Sequence, residues 1–248
     1  MLREKDMNYS ELLNEEQLKA VTTESKYTKV IAGAGSGKTR VLTYRISYLM
    51  SNMNVYPSQI LGITFTNKAA KEIKDRVLNI CPTATNMALS TIHSWCARFL
   101  RQFYEYINYP RNFTILDDED QMNIMKDIFV GHGSNKKDPQ IKECLYWIGS
   151  KKTEGFQYKD LQNTKFPNPV MNKYLAYFGE YTETLQKMAC LDFDDLLLKT
   201  IDILRDNENV RSIYQNKIKH ILVDEFQDIN DVQFDLITLL MGENNSLY

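Results

Sequence analysis

Residues 32 to 39 read A-G-A-G-S-G-K-T and follow the short apolar run Val30-Ile31. The order suits a strand that runs into a glycine-rich turn, with Lys38 and Thr39 opening the next helix. Gly33, Gly35 and Gly37 let the backbone curl, so that N–H groups along Ala32, Gly33, Ala34, Gly35, Ser36 and Gly37 point inward at an anion. The positive end of the following helix dipole strengthens that field, and a lysine at the helix start reaches β- and γ-phosphates. The Thr39 hydroxyl stands where it can ligate Mg²⁺. The chemistry is that of a nucleoside triphosphate site, with one departure from the usual pattern: Ala32 takes the place of the first glycine.

The complementary half lies at 218–228, I-K-H-I-L-V-D-E-F-Q-D. Ile221-Leu222-Val223 is a continuous apolar run, as a buried parallel strand requires. Such a strand delivers Asp224 and Glu225 at its carboxyl end, where open α/β sheets place ligands. Asp224 is suited to hold Mg²⁺ through water, and Glu225 to orient and deprotonate an attacking water. Acidic pairs also end strands for purely structural reasons, and only the Lys38–Thr39 partner separates the two readings.

Elements must position these groups. Leu12, Leu13, Leu18 and Val21 predict an opening helix with Ser10 as N-cap, and Val41, Leu42, Ile46 and Leu49 predict a helix over 38–50. Ile60 to Thr66 reads as a strand, followed by a helix capped by Asn67 and carrying Ala69, Ala70, Ile73 and Val77. A further amphipathic helix begins near Thr91, with Trp95 and Phe99 on its core face. From about Tyr109 to Met188 strand signals vanish, and helices are expected over 118–130, 138–149 and 171–189. Asp192 then caps a helix bearing Leu196, Leu197, Ile201 and Leu204; Asp194 and Asp195 read as its solvated face rather than as metal ligands. Helices over 209–216 and 232–241 and a short strand at Ser246-Leu247-Tyr248 complete the chain. Lys38 and Asp224 stand 186 positions apart (224 − 38) yet must meet one nucleotide. The helical stretch is therefore expected as a subdomain, 109–188, inserted into an α/β domain made of 8–108 and 189–248.

Composition bounds the remaining possibilities. The chain has 248 residues, 43% of them hydrophobic and 25% charged, and a formal net charge of −2. No apolar run is long enough to span a membrane, and the charged start M-L-R-E-K-D is no secretory signal. Cys81, Cys96, Cys144 and Cys190 show no C-x-x-C spacing and read as reduced core thiols of a cytoplasmic protein. Between Thr64 and Arg111 lie seven basic residues against Glu72, Asp75 and Glu105. That stretch suits a local nucleic-acid track, but composition alone slightly favours an ordinary solvated helix face.

Six blocks taken together resemble the superfamily 1 helicases of the UvrD/Rep/PcrA type: L-N-E-E-Q at 13–17, A-G-A-G-S-G-K-T-R at 32–40, I-T-F-T-N-K-A-A at 63–70, S-T-I-H-S-W-C at 90–96, D-F-D-D-L-L at 192–197 and V-D-E-F-Q-D at 223–228. The resemblance implies a P-loop, RecA-like parallel sheet flanked by helices, with ATP and Mg²⁺ as cofactors. It places Gln17 at the adenine edge with Arg40 nearby, and Gln227 at the γ-phosphate with Asp228 in support. It further implies single-stranded DNA on Phe65 by base stacking, with Thr66, Asn67, Lys68, Thr91 and His93 at phosphates or sugars. By pattern alone Gln17 is a surface helix residue, Phe65 a core aromatic and His93 a satisfied polar side chain.

The family's next block and its second motor domain, with arginines that reach the γ-phosphate, lie outside this sequence. The resemblance thus points to the N-terminal portion of an ATP-dependent 3′→5′ helicase acting on single strands and single/double-strand junctions, nearly inactive by itself. Alternatives are a non-catalytic ATP- and DNA-binding module and a subunit of a helicase–nuclease complex. Small-molecule kinases explain neither T-F-T-N-K-A-A nor the Gln227-Asp228 pair.

Overall fold

The computed structural model describes residues 7–33 and 35–248. In chain order the first elements are α1 (Tyr9–Leu12), α2 (Glu15–Thr22), α3 (Lys38–Ser51), β1 (Ile60–Thr64), α4 (Asn67–Ile80), β2 (Ala88–Thr91) and α5 (Ile92–Gln102). Then come β3 (Thr114–Ile115), α6 (Asp118–Gly131), α7 (Gln140–Thr153), α8 (Tyr158–Leu161), α9 (Pro169–Lys187), β4 (Cys190–Leu191) and α10 (Phe193–Asp206). The last are α11 (Glu208–Lys217), β5 (His220–Val223), α12 (Asp231–Leu240) and β6 (Ser246–Leu247). Two compact units result. One comprises the residues up to Trp95 with Asn207–Ile229 and Ile237–Tyr248; the other comprises Cys96–Asp206 with Asn230–Leu236. The segments 96–108 and 189–206 thus belong to the second unit, so its limits are wider than 109–188.

The first unit is built on a four-stranded sheet in the order β2-β1-β5-β6, every pairing parallel. All five residues of β1 are buried, as are the last three of β5, which is why both read as unbroken apolar runs. Gly62 lets Leu89 of β2 pack close against β1: a Cβ there would stand 2.1 Å from Leu89 Cδ1 and make that side chain shift. Leu42, Ile46 and Leu49 of α3 pack with Ile73 and Val77 of α4 and Leu222 of β5. That period-of-four stripe on α3 fixes the helix that starts at Lys38.

Several local expectations are corrected. The opening segment is two helices, and Asn14, not Ser10, caps the longer one: its Oδ1 accepts Gln17 N–H at 2.8 Å in a capping box. Thr66 rather than Asn67 caps α4, accepting Ala69 N–H at 3.1 Å. Val30-Ile31 is not a strand. Pairing of this segment is confined to Lys26–Thr28: a bridge from Tyr27 to Leu247, with Leu247 N–H donating to Lys26 O and Thr28 N–H to Leu247 O, while Ile31 is 85% exposed. The next ladder positions find no partner among the described residues, and two apolar residues cannot hold a strand without one. Strand β2, by contrast, is absent from the expectations because A-L-S-T carries one large apolar residue.

The second unit is helical, around Met125 and Phe129 of α6, Ile148 of α7, and Phe178, Tyr181 and Leu185 of α9. One addition to the helical expectation is a two-residue parallel ladder, Thr114 with Cys190 and Ile115 with Leu191. The acidic residues opening α10 are not a solvated face. Lys152 Nζ lies 2.6 Å from Asp192 Oδ2 and 2.8 Å from Asp195 Oδ1, all three being buried or nearly so, while Asp192 Oδ1 caps the helix through Asp195 N–H. Tyr181 OH donates to Asp192 as well, at 3.1 Å. All four cysteines are buried and unpaired with one another. Among the described residues no helix is long and apolar enough to cross a membrane.

Candidate nucleotide and DNA site

The parallel ladder sets the site. Asp224 N–H donates to Ile63 O at 2.9 Å, just past the end of β5, and Thr64 pairs with Thr91 at the ends of β1 and β2. Parallel strands end on the same edge. Asp224 and Glu225, the turn Phe65–Lys68 and the start of α5 therefore leave the sheet together.

At that edge the glycine-rich loop wraps into α3. Gly35 and Gly37 have φ of 75° and 89°, left-handed values that a side chain would strain. Ser36 Oγ donates to Gly33 O at 2.6 Å and tightens the turn. Lys38 Nζ donates to Ala32 O at 3.2 Å and Gly33 O at 3.4 Å. These neutral acceptors are weaker partners for an ammonium than phosphate oxygens, so an incoming anion competes favourably for it. Thr39 follows in the first turn of α3, and Thr43 Oγ1 donates to its carbonyl at 2.8 Å. Ala34, also assigned to the loop, lies outside the described residues.

Gln17 holds the loop from the side. Its Nε2 donates to Ser36 O at 3.2 Å while its Oε1 accepts Asn14 N–H at 3.3 Å. A Cβ at Gly37 would stand 3.2 Å from that same Nε2, so glycine there admits the contact. Arg40 Nη2 donates to Leu12 O at 2.8 Å and stacks over Tyr44. These links from α2 to the loop were not legible beforehand; Asn14 three residues before Gln17 was their available signal.

Opposite the loop stand the acids. A cavity of about 630 Å³ is lined by Ala32 and Lys38 on one side and by Asp224, Glu225 and Gln227 on the other. Burial raises the Asp224 carboxyl above its ordinary range and the neighbouring Glu225 adds to this, while the Lys38 ammonium pulls it back down. Glu225 has φ of 52°, in the left-handed region, and Gln227 Nε2 donates to its Oε2 at 2.6 Å and to Asp228 Oδ2 at 3.5 Å. Among the described residues no trio of His, Cys, Asp or Glu is set to hold a metal. A hydroxyl and one carboxylate are nonetheless the set that suits Mg²⁺ carried in on phosphates.

The DNA candidates line the neighbouring loops. Phe65 is 47% exposed, which removes it from the core. Thr66, Asn67 and Lys68 are exposed beside it, and Thr91 and His93 are half-buried. Thr91 Oγ1 donates to Ser94 Oγ at 2.8 Å, and Ser94 Oγ donates to Asn67 Oδ1 at 3.4 Å. Ser94, not singled out in the sequence, thus ties the two loops together. Burial lowers the His93 pKa and keeps the ring neutral.

Residues 13–248 match the UvrD/REP helicase N-terminal domain, and the chain belongs to that family. Its α/β fold, a parallel sheet flanked by helices, is of the RecA-like motor type. The "Probable DNA helicase II homolog" of Mycoplasma capricolum is 39% identical over 246 residues, covering 97% of this chain and 34% of that protein. The ATP-dependent DNA helicase PcrA of Staphylococcus aureus is 39% identical over 236 residues, covering 95% and 32%. PcrA of Staphylococcus epidermidis is similar to the same degree over 237 residues. The chain thus spans about a third of the length of these relatives.

Proposed function

We propose that this chain is the ATP-binding portion of an ATP-dependent DNA helicase, moving 3′→5′ on single-stranded DNA and at single/double-strand junctions in the cytoplasm. The observation that supports this reading is the shared cavity, with Ala32 and Lys38 in its lining together with Asp224, Glu225 and Gln227. In this reading the motor domain comprises 8–108 and 189–248 and the inserted helical subdomain 109–188, with the flanking segments 96–108 and 189–206 of the motor packing in the helical unit.

Each residue then has a task. Loop N–H groups and the Lys38 ammonium bind the β- and γ-phosphate oxygens. Thr39 and Asp224 hold Mg²⁺, which supplies charge neutralisation to the phosphates when bound. Glu225 accepts a proton from the attacking water, and Gln227 orients that carboxylate next to the γ-phosphate. Gln17 can donate and accept at the adenine edge, and its bond to Ser36 O connects base to loop. Phe65 stacks a base, while Thr66, Asn67, Lys68, Thr91 and His93 meet the backbone.

A second motor domain in cis supplies the arginines that complete the site in this reading. The 248 residues alone are therefore expected to bind Mg–ATP weakly and to turn it over slowly, since loss of such an arginine costs about 10³–10⁵ in rate. Titration of the chain with a fluorescent ATP analogue, with and without Mg²⁺, tests the reading. Magnesium-dependent binding supports it, and its absence removes the nucleotide site. Turnover of several per second, stimulated by single-stranded DNA, would contradict the expected near-inactivity. Retained binding in a full-length protein without any hydrolysis would favour a non-catalytic module.

A further inference from the structure

Resting on the DNA reading above, we propose that Ser94 is a positioning residue for Asn67, turning that amide so that its N–H₂ donors face the DNA backbone. The side chains involved all lie in the first unit. The two loops that Ser94 joins leave adjacent strands, with Thr64 of β1 paired to Thr91 of β2. Thr91 Oγ1 donates to Ser94 Oγ at 2.8 Å, and Ser94 Oγ donates to Asn67 Oδ1 at 3.4 Å. Ser94 N–H returns to Thr91 Oγ1 at 3.2 Å, the bond that caps the start of α5.

A count of protons fixes the direction of this chain. The Asn67 carbonyl oxygen can only accept, so the Ser94 hydroxyl proton is spent on it. Ser94 Oγ in turn receives the Thr91 hydroxyl proton, and Thr91 Oγ1 receives the Ser94 N–H. Thr91 therefore has no hydroxyl proton left for a phosphate, and meets a strand through its methyl group or main chain. Asn67 gains what Thr91 gives up. With Oδ1 turned towards Ser94, both Nδ2 protons point away from it on an exposed side chain.

Orientation matters because the neighbours are donors too. Thr66 Oγ1 accepts Ala69 N–H at 3.1 Å and keeps its own proton, and Lys68 is exposed beside it. Residues 66 to 68 thus offer donors in succession, as phosphate oxygens require. Of the three, only the Asn67 amide can swap its donors for a carbonyl oxygen by a half-turn, and that oxygen would repel a phosphate. Ser94 decides the half-turn. At 3.4 Å its bond is long for a hydroxyl donor, so it steers the amide without clamping it, and its effect on affinity is modest.

The test measures affinity of the 248-residue chain for a labelled oligothymidylate of about 15 nucleotides by fluorescence anisotropy. Ser94→Ala is expected to weaken binding about two- to tenfold, and Ser94→Thr, which keeps the hydroxyl, to bind like the parent. Asn67→Ala is expected to weaken binding at least as much, and adding Ser94→Ala to it to cost nothing further. The slope of log affinity against log salt should stay unchanged in Ser94→Ala, which removes no cation, and fall by about 0.7 in Lys68→Ala. A Ser94 that merely held the loops together would lower the melting temperature and weaken the Asn67→Ala chain as well. Additive losses, parent-like affinity of Ser94→Ala, or unchanged affinity of Asn67→Ala would each overturn the proposal. If Phe65→Ala still weakens binding in that event, the DNA reading stands without it. A parent chain that binds no oligothymidylate removes both.

Discussion

Gln227 donates its Nε2 to Glu225 Oε2 at 2.6 Å, and Glu225 holds that carboxylate on a backbone with φ of 52°. Strain and aim therefore come from one tight turn after β5. A residue with a Cβ adopts the left-handed region at a cost of roughly 1–2 kcal/mol, and such residues gather at functional sites.

Glu225→Asn should therefore raise stability by about 1 kcal/mol, because asparagine tolerates this conformation better. The same change removes the proposed base, so a full-length motor should keep ATP binding and lose hydrolysis. Urea denaturation and a turnover assay measure the two effects. A lower denaturation midpoint would show that the turn is not strained by Glu225.

Phe65→Ala should weaken single-stranded DNA binding about 5- to 150-fold, the equivalent of about 1–3 kcal/mol for one stacked base. The melting temperature should change little, since the ring is 47% exposed. A large fall in melting temperature with unchanged DNA affinity would return Phe65 to a packing role.

Lys152→Ala should destabilise the second unit by about 3–5 kcal/mol, because it strands two carboxylates without their cation. Burial drives both carboxyls up; at Asp192 the Lys152 ammonium with the Asp195 N–H and Tyr181 hydrogen bonds together bring it below its ordinary range, whereas at Asp195 the Asp192 charge adds to burial and it stays above. Adding Asp195→Asn should recover part of the loss by removing the second stranded charge. Thermal melts of the single and double variants decide this, and equal stability of Lys152→Ala and the parent chain would contradict it.

What was legible beforehand follows from how local each signal is. The phosphate loop, the acidic pair and helices such as α6, α9 and α10 are written in contiguous patterns, and the structure has them within a few residues. Val30-Ile31 fails as a strand because pairing depends on neighbours distant in sequence. The buried status of Asp192 and Asp195 was hidden for the same reason: Lys152 is 40 positions from Asp192, and no spacing rule links them. Phe65 shows the opposite case. Its pattern fits a core aromatic, and only the sheet's carboxyl edge explains why it faces outward.

His220 gives a pH dependence of definite sign. Burial, with the Arg45 charge adding to it, pushes its pKa down to about 4, and its Nδ1 pairs with Ser246 Oγ at 2.7 Å. An unfolded histidine titrates near about 6.5. Between those values the unfolded chain holds a proton that the folded chain refuses. Stability should therefore fall as pH drops from about 6.5 towards 4, and be free of this penalty above that window. The difference between the stability profiles of the parent and His220→Asn isolates the effect, because other buried acids, Asp194 among them, are common to both. Parallel profiles would contradict it.

The convergence of Lys38 and Asp224 on one magnesium triphosphate is tested most directly by a double-mutant cycle on ATP affinity. Lys38→Ala, Asp224→Asn and the double variant are titrated with a fluorescent ATP analogue in the presence of Mg²⁺. The expected result is that each single change weakens binding, that Asp224→Asn also reduces its magnesium dependence, and that the two effects couple by about 0.5 kcal/mol or more. Strictly additive effects, or unchanged affinity in either single variant, would contradict a shared site.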